Sequence, residues 1–199
     1  MKIKHSYIYN KVKSIVLLFT LIVLASCGAE DSISRKFECR FTFLTQNHAG
    51  NTLEVALNGL GTYTFVSTSY QNGIWHILST PNYNNAKTED IPITIATEKQ
   101  YTNVTALGAN NGIIIGHTNF NGLVAYDRQC PNCINQYGGT NYPLEWNADN
   151  QQLVTCKKCH RNYNLEYGSC EGEGERLMQY IINYSDNDRG TGKVIWVHN

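Results

Sequence analysis

Charge, proline and methionine are scarce in this chain of 199 residues. Charged side chains make up 16%, and there are four prolines and two methionines. The low proline content and the absence of internal repeats remove fibrous, linker-like and repeat-array readings. Basic and acidic residues balance at 16 each, so no basic stripe points to nucleic acid. There is no Gly-x-Ser-x-Gly, no phosphate-binding loop and no His-Glu-x-x-His, which leaves hydrolase and kinase readings without support. No capped helical periodicity stands out, and Arg176 to Met178 suggests at most a turn. After the first 25 residues no apolar run is long enough to span a bilayer.

What is present begins with a leader. Lys2, Lys4, Lys11 and Lys13 precede an apolar run from Ile15 to Ala25, broken only by Thr20. A basic head, a short apolar stretch and small residues are the parts of a secretory signal, here residues 1–26. The ending Leu24-Ala25-Ser26-Cys27 resembles a bacterial lipobox, which would make Cys27 the acylated first residue of the mature protein. The resemblance implies an exported lipoprotein held at a membrane of the cell envelope, on the periplasmic face or the cell surface. The acidic pair Glu30-Asp31 resembles the surface-export signal of some such proteins. Residues 27–36 read as the tether. The leader takes four of the basic residues and none of the acidic ones, leaving the remainder with a net charge of −4.

The rest, 37–199, is one domain with a β pattern. Phe37, Cys39, Phe41 and Phe43 alternate with polar residues and share a face. Thr62 to Phe65, Ile74 to Leu78, Ile91 to Ala96, Ile113 to Ile115, Leu123 to Tyr126, Tyr180 to Tyr184 and Val194 to Val197 are further strand candidates. Asn58-Gly59, Asn72-Gly73, Asn111-Gly112, Asn121-Gly122, Gly138-Gly139 and Asp188-Arg189-Gly190 separate them as turns. The expected fold is all-β, with stacked antiparallel sheets.

Two C-x-x-C pairs, Cys130-Pro-Asn-Cys133 and Cys156-Lys-Lys-Cys159, carry the chemistry. Each places two sulfurs on one side of a loop. Two such loops offer four thiolates at tetrahedral positions, which zinc or iron accepts. Leu123 to Tyr126 leads into the first pair, Leu153 to Thr155 into the second, and Tyr163 to Leu165 leaves it. The two loops are therefore expected side by side at one tip of the sheets.

Residues 112–198 resemble a Rieske domain. Gly122 to Pro131 looks like the approach to its first ligand loop, and Leu153 to Gly168 like the second loop and its exit. Leu177 to Tyr180 and Lys193 to Val197 look like closing strands. The resemblance implies a [2Fe–2S] family and a Rieske-like lipoprotein. It maps Cys130 and Cys156 onto the family's cysteine ligands, with Asn132 and Cys159 standing where its histidines belong. His160 lies one step late, and the loop from Gly168 to Glu175 lacks the family's proline.

Four outcomes follow for the cysteines. A closed four-cysteine zinc site would be structural, and is the first choice. Iron or an iron–sulfur cluster in the same ligands would transfer electrons to a protein partner. Export also allows disulfides. Cys156-Lys-Lys-Cys159-His160 matches the c-type haem motif, with Met178 as a conceivable axial ligand. Cys39 reads as a buried free thiol, with a bridge to Cys170 as the alternative. His76 and His117 read as satisfied edge histidines, and Glu171, Glu173 and Glu175 as a solvated loop. Trp75, Trp146 and Trp196 read as packing residues, and Asp127-Arg128 as an ion pair bracing the first loop. A closed site argues against catalysis by the chain alone.

Overall fold

The alternation at 37–43 becomes strand β1, Cys39–Leu44, with Cys39, Phe41 and Phe43 buried and Arg40 exposed. A computed structural model describes residues 32–186 and 193–199. The leader, Cys27, the acidic pair at 30–31 and the turn at 188–190 lie outside the described residues. Among the described residues no helix is long and apolar enough to cross a membrane.

Twelve further strands are described. They are β2 (Thr62–Gln71), β3 (Ile74–Pro81), β4 (Glu89–Pro92), β5 (Asn103–Leu107), β6 (Ile113–His117) and β7 (Leu123–Asp127). Then come β8 (Leu144–Trp146), β9 (Leu153–Cys156), β10 (Asn162–Asn164), β11 (Ser169–Cys170), β12 (Gln179–Asp186) and β13 (Lys193–His198). Of all thirteen, nine form one antiparallel sheet in the order β4-β3-β2-β6-β7-β12-β13-β1-β5, and four form a second, β11-β10-β9-β8. The all-β expectation holds. The β2–β3 hairpin turns on Asn72-Gly73, both at positive φ (51° and 82°), as a two-residue hairpin requires.

Among the described residues, three short α-helices depart from the expectation. The first, α1 (Thr52–Asn58), is capped by Asn51, whose side chain accepts from the backbone N–H groups of Leu53 and Glu54. Glu54 reaches back to the Gly50 N–H at 2.7 Å, and Leu53, Ala56 and Leu57 bury one face. The second, α2 (Ala96–Tyr101), ends the strand expected through Ala96. Pro92 has no N–H for a ladder, β4 stops there, and the chain turns helical four residues later. The third, α3 (Pro131–Tyr137), starts inside the first cysteine pair with Pro131 in its first turn, where a missing N–H costs nothing.

The nine-stranded sheet curls on itself. Thr68 Oγ1 on β2 donates to the Val104 carbonyl on β5 at 3.2 Å, joining strands far apart in the order. The concave side encloses a first core that includes Phe41, Phe43, Val66, Ile77, Ile195 and Val197, with α1 contributing Leu53 and Leu57. On β2, β6 and β7 the opposite face is covered as well. There Tyr63, Phe65, Ile114, Val124 and Tyr126 join Leu144, Val154 and Tyr163 of the small sheet in a second core. Coverage on both faces explains why Ile113, Ile114 and Ile115 are all fully buried, each gaining about 1.5–3 kcal/mol over exposure. Gly116 is glycine for the same reason, since a Cβ there would strike the Tyr63 ring. Trp146 on β8 stacks on Phe65 at 3.7 Å and donates to the Thr80 carbonyl, fastening the small sheet to β2 and β3.

Candidate metal centre

Strand β7 aims the first cysteine pair. Asp127 and Arg128 follow each other in extended chain, so their side chains leave on opposite sides. The expected ion pair between them is therefore not made. Asp127 is fully buried on one side, where its carboxylate accepts from the N–H groups of Ala109 and Gln129 and from the Tyr180 hydroxyl, each at 2.7 Å. Arg128 turns to the other side, lies 4.1 Å over the Phe65 ring and donates from Nε to the Leu144 carbonyl. Gln129 Oε1 takes the Tyr142 N–H at 2.7 Å. The approach to Cys130 is thus pinned by buried polar contacts on both sides.

The two C-x-x-C segments differ in conformation. Cys130 is the N-cap residue of α3, and its carbonyl accepts from the Ile134 N–H at 3.1 Å. The second pair forms a tight turn after β9. Here the His160 N–H donates to the Cys156 carbonyl at 2.8 Å, and the Cys156 N–H to the Arg161 carbonyl at 3.0 Å. His160 closes this turn at φ 58° with its side chain exposed.

The four sulfurs of Cys130, Cys133, Cys156 and Cys159 all lie within 4.8 Å of one another. Between the pairs, Cys130 Sγ lies 3.6 Å from Cys159 Sγ and Cys133 Sγ lies 3.6 Å from Cys156 Sγ. Metal–sulfur bonds of about 2.3 Å in a tetrahedron place sulfurs about 3.8 Å apart, so the cage fits a single ion. Cys130, Cys133 and Cys156 are buried and Cys159 is half-buried. All four are free, and 3.6 Å is far from a covalent bond. The sulfurs of Cys156 and Cys159 converge on the other pair, while His160 is exposed.

Burial works against thiolates here. It pushes the Cys130 thiol up to about 11, although hydrogen bonds from Tyr163 and the Cys133 backbone oppose it. Cys133 is raised further, by burial and then by hydrogen bonding to Cys159, Cys130 and Cys156. Cys159 is also penalised by burial, but hydrogen bonds from the Arg161 backbone and side chain outweigh this and hold it down at about 7. Four thiolates this close cannot ionise together without a cation between them. A divalent metal would supply that charge and drive the protons off.

Tyr163 and Asn132 support the cage, and spacing alone does not reveal them. Asn132 Nδ2 donates to the Tyr163 oxygen at 2.6 Å. The tyrosine hydrogen is thereby left for Cys130 Sγ, 3.1 Å away. Asn132, which the Rieske resemblance aligns with a missing histidine, thus orients a hydrogen bond to a ligand. Its Oδ1 accepts the Glu175 N–H and ties down the acidic loop, whose Glu171, Glu173 and Glu175 are exposed. An open cleft of about 500 Å³ lined by Tyr137, Tyr142, Pro143, Cys156, Lys157 and Lys158 reaches the cage from solvent.

The other candidates fall elsewhere. Cys39 lies in the first core, Cys170 on the small sheet beside the second, and both are free. The bridge between them is not formed. Burial, and then the Asp127 charge, push Cys39 up to about 12, as suits an inert core thiol. His76 pairs with Asp90 at 2.8 Å and His117 with the Leu57 carbonyl at 3.0 Å, both satisfied. Trp146 packs inside, but Trp75 and Trp196 are 36% and 46% exposed. No family model, curated protein or solved structure matches the chain.

Proposed function

We propose that this is a membrane-anchored exported lipoprotein whose four cysteines hold one metal ion, zinc in the first place, as a clasp between two sheets. The supporting observation is that the sulfurs come from different layers. Cys130 and Cys133 follow β7 of the curled sheet, and Cys156 and Cys159 follow β9 of the small sheet. A closed zinc site of this kind contributes folding energy and performs no chemistry. The membrane attachment rests on the lipobox at Cys27, and the protein acts as a non-enzymatic structural or binding module. Protein purified without added metal should carry one zinc per chain by elemental analysis, and Cys130→Ser or Cys156→Ser should release it. Retention of zinc by both variants overturns the assignment.

A second reading keeps iron in the same cage and makes the domain a Rieske-like electron carrier to a protein partner. The partial exposure of Cys159 favours it, because electron transfer needs one ligand near the surface. Iron in the elemental analysis, with visible absorption that bleaches on reduction, selects this reading. A colourless, iron-free protein rejects it.

A further inference from the structure

Away from the cysteine cage, at the mouth of the first core, a buried carboxylate is left half satisfied. Glu98, in the first turn of α2, is buried with a side-chain exposure of 0%. Asn47 Nδ2 donates to its Oε1 at 2.8 Å. Its Oε2 is fully enclosed and has no partner. His48 Nε2 lies 3.0 Å from the same Oε1, yet it too is buried and makes no hydrogen bond. The carboxylate oxygen therefore sits off the axis of the ring nitrogen. Thr102, one helical turn after Glu98, has a third buried unpaired atom, its Oγ1.

One hydrogen bond and a neighbouring imidazole compensate only part of the cost of burying this carboxylate, and the buried polar atoms left without partners call for an explanation. A shared ion provides one. Zinc bonds of about 2.1 Å to an imidazole nitrogen and a carboxylate oxygen place the two atoms about 3.0 Å apart at a right angle and about 3.4 Å apart at the tetrahedral angle. The His48–Glu98 separation of 3.0 Å lies at the narrow end of that range, and a shared ion accounts for the off-axis approach that a hydrogen bond does not.

We propose that His48 Nε2 and the Glu98 carboxylate form a second divalent-cation site, for a borderline metal of the zinc class, completed by water. Asn47 is its positioning residue and holds the carboxylate through Oε1. An imidazole and a carboxylate select such metals over calcium or magnesium, which prefer all-oxygen shells. The His48 side chain is 20% exposed although its Nε2 is enclosed, so an ion enters by displacing that ring. Bound metal would pin the loop after β1 to α2. This site shares no residue with the cysteine cage and does not depend on it.

The test uses the full chain already carrying one equivalent of zinc, dialysed against increasing Zn²⁺ and analysed for metal. Wild type should take up a second equivalent. His48→Gln and Glu98→Gln should each bind that equivalent at least about tenfold more weakly and keep the first. Cys156→Ser should do the reverse, losing the first and keeping the second, so failure of the cage and failure of this site are told apart. Circular dichroism checks folding. Should Glu98→Gln unfold, His48→Gln at the more exposed partner gives the same readout. No second equivalent up to about millimolar zinc, where a site of even −4 kcal/mol would fill, overturns the proposal. So does a second equivalent that survives both substitutions.

Discussion

Inside the curled sheet, Phe41, Phe43, Leu53, Ile77, Ile113 and Ile195 pack from five different elements around one centre. Under the small sheet, by contrast, the strands are two to four residues long, and three of the buried positions are cysteines. The first core is stabilised by apolar burial and closed by its own curvature. The second has too little strand and too few large side chains to order itself, and it borrows the back of β2, β6 and β7. Four converging sulfurs at its tip supply what it lacks. On the proposed metal reading, the two regions differ in what should remove them, a cavity for the first and a chelator for the second.

The largest effect should come from metal removal. Structural zinc contributes about 10–16 kcal/mol of binding free energy in small zinc domains, more than any single truncation. Hydrogen exchange on chelated protein should show β8 to β11 losing protection while β1, β12 and β13 keep theirs. Simultaneous loss in both sheets would erase the distinction between the cores.

Next in size, Phe41→Ala opens a cavity in the first core and should cost about 3–5 kcal/mol in denaturant unfolding. Folded Phe41→Ala should still carry its full complement of metal. A parallel loss of metal would mean that the clasp depends on the first core.

Tyr163→Phe removes the hydroxyl that donates to Cys130 and accepts from Asn132. It should weaken metal binding by about tenfold with a stability loss near 1 kcal/mol, read by competition with a chromophoric chelator. Unaltered affinity would reduce Tyr163 to a packing residue.

The smallest effect is confined to alkali. Burial raises the Cys39 thiol from 9.0 to about 12. The folded state therefore holds a proton that the unfolded chain releases, and stability falls as pH rises from about 9 towards 12. Stability is unaffected by this group below that window. Cys39→Ala should flatten the decline in metal-loaded protein, while the cage cysteines, held by the ion, should not contribute to it. An equal slope in both proteins would place the titration elsewhere.

The cage was legible in the sequence because two C-x-x-C pairs constrain four atoms by spacing alone. The strand at Cys39 to Phe43 was legible because one of its faces meets solvent and alternation survives. The run Ile113 to Ile115 announced a strand but not the layering, since burial on both faces erases the period that would assign sides. Helix α1 carried readable signals, Asn51 as cap, Glu54 three residues on, and Leu53, Ala56 and Leu57 at helical spacing. Its seven residues are too few for periodicity to stand out. Helix α3 was hidden by its own cysteines, which read as a loop until Pro131 is seen as a helix start. The support from Tyr163 and Asn132 depends on pairing across strands, which no local pattern encodes.

Strand β13 lies between β12 and β1, with Phe41 opposite Val197 and Ile182 opposite Val197 on its other side. Strand β13 is therefore an interior stave of the main sheet and not an added edge. A nascent chain cannot assemble that sheet until residues 193–198 have emerged, and β1 must wait unpaired on that side until then. Early termination would not shorten the sheet at one border. It would split it in two, leaving β1 and β5 as an orphan pair with a bare flank open to aggregation.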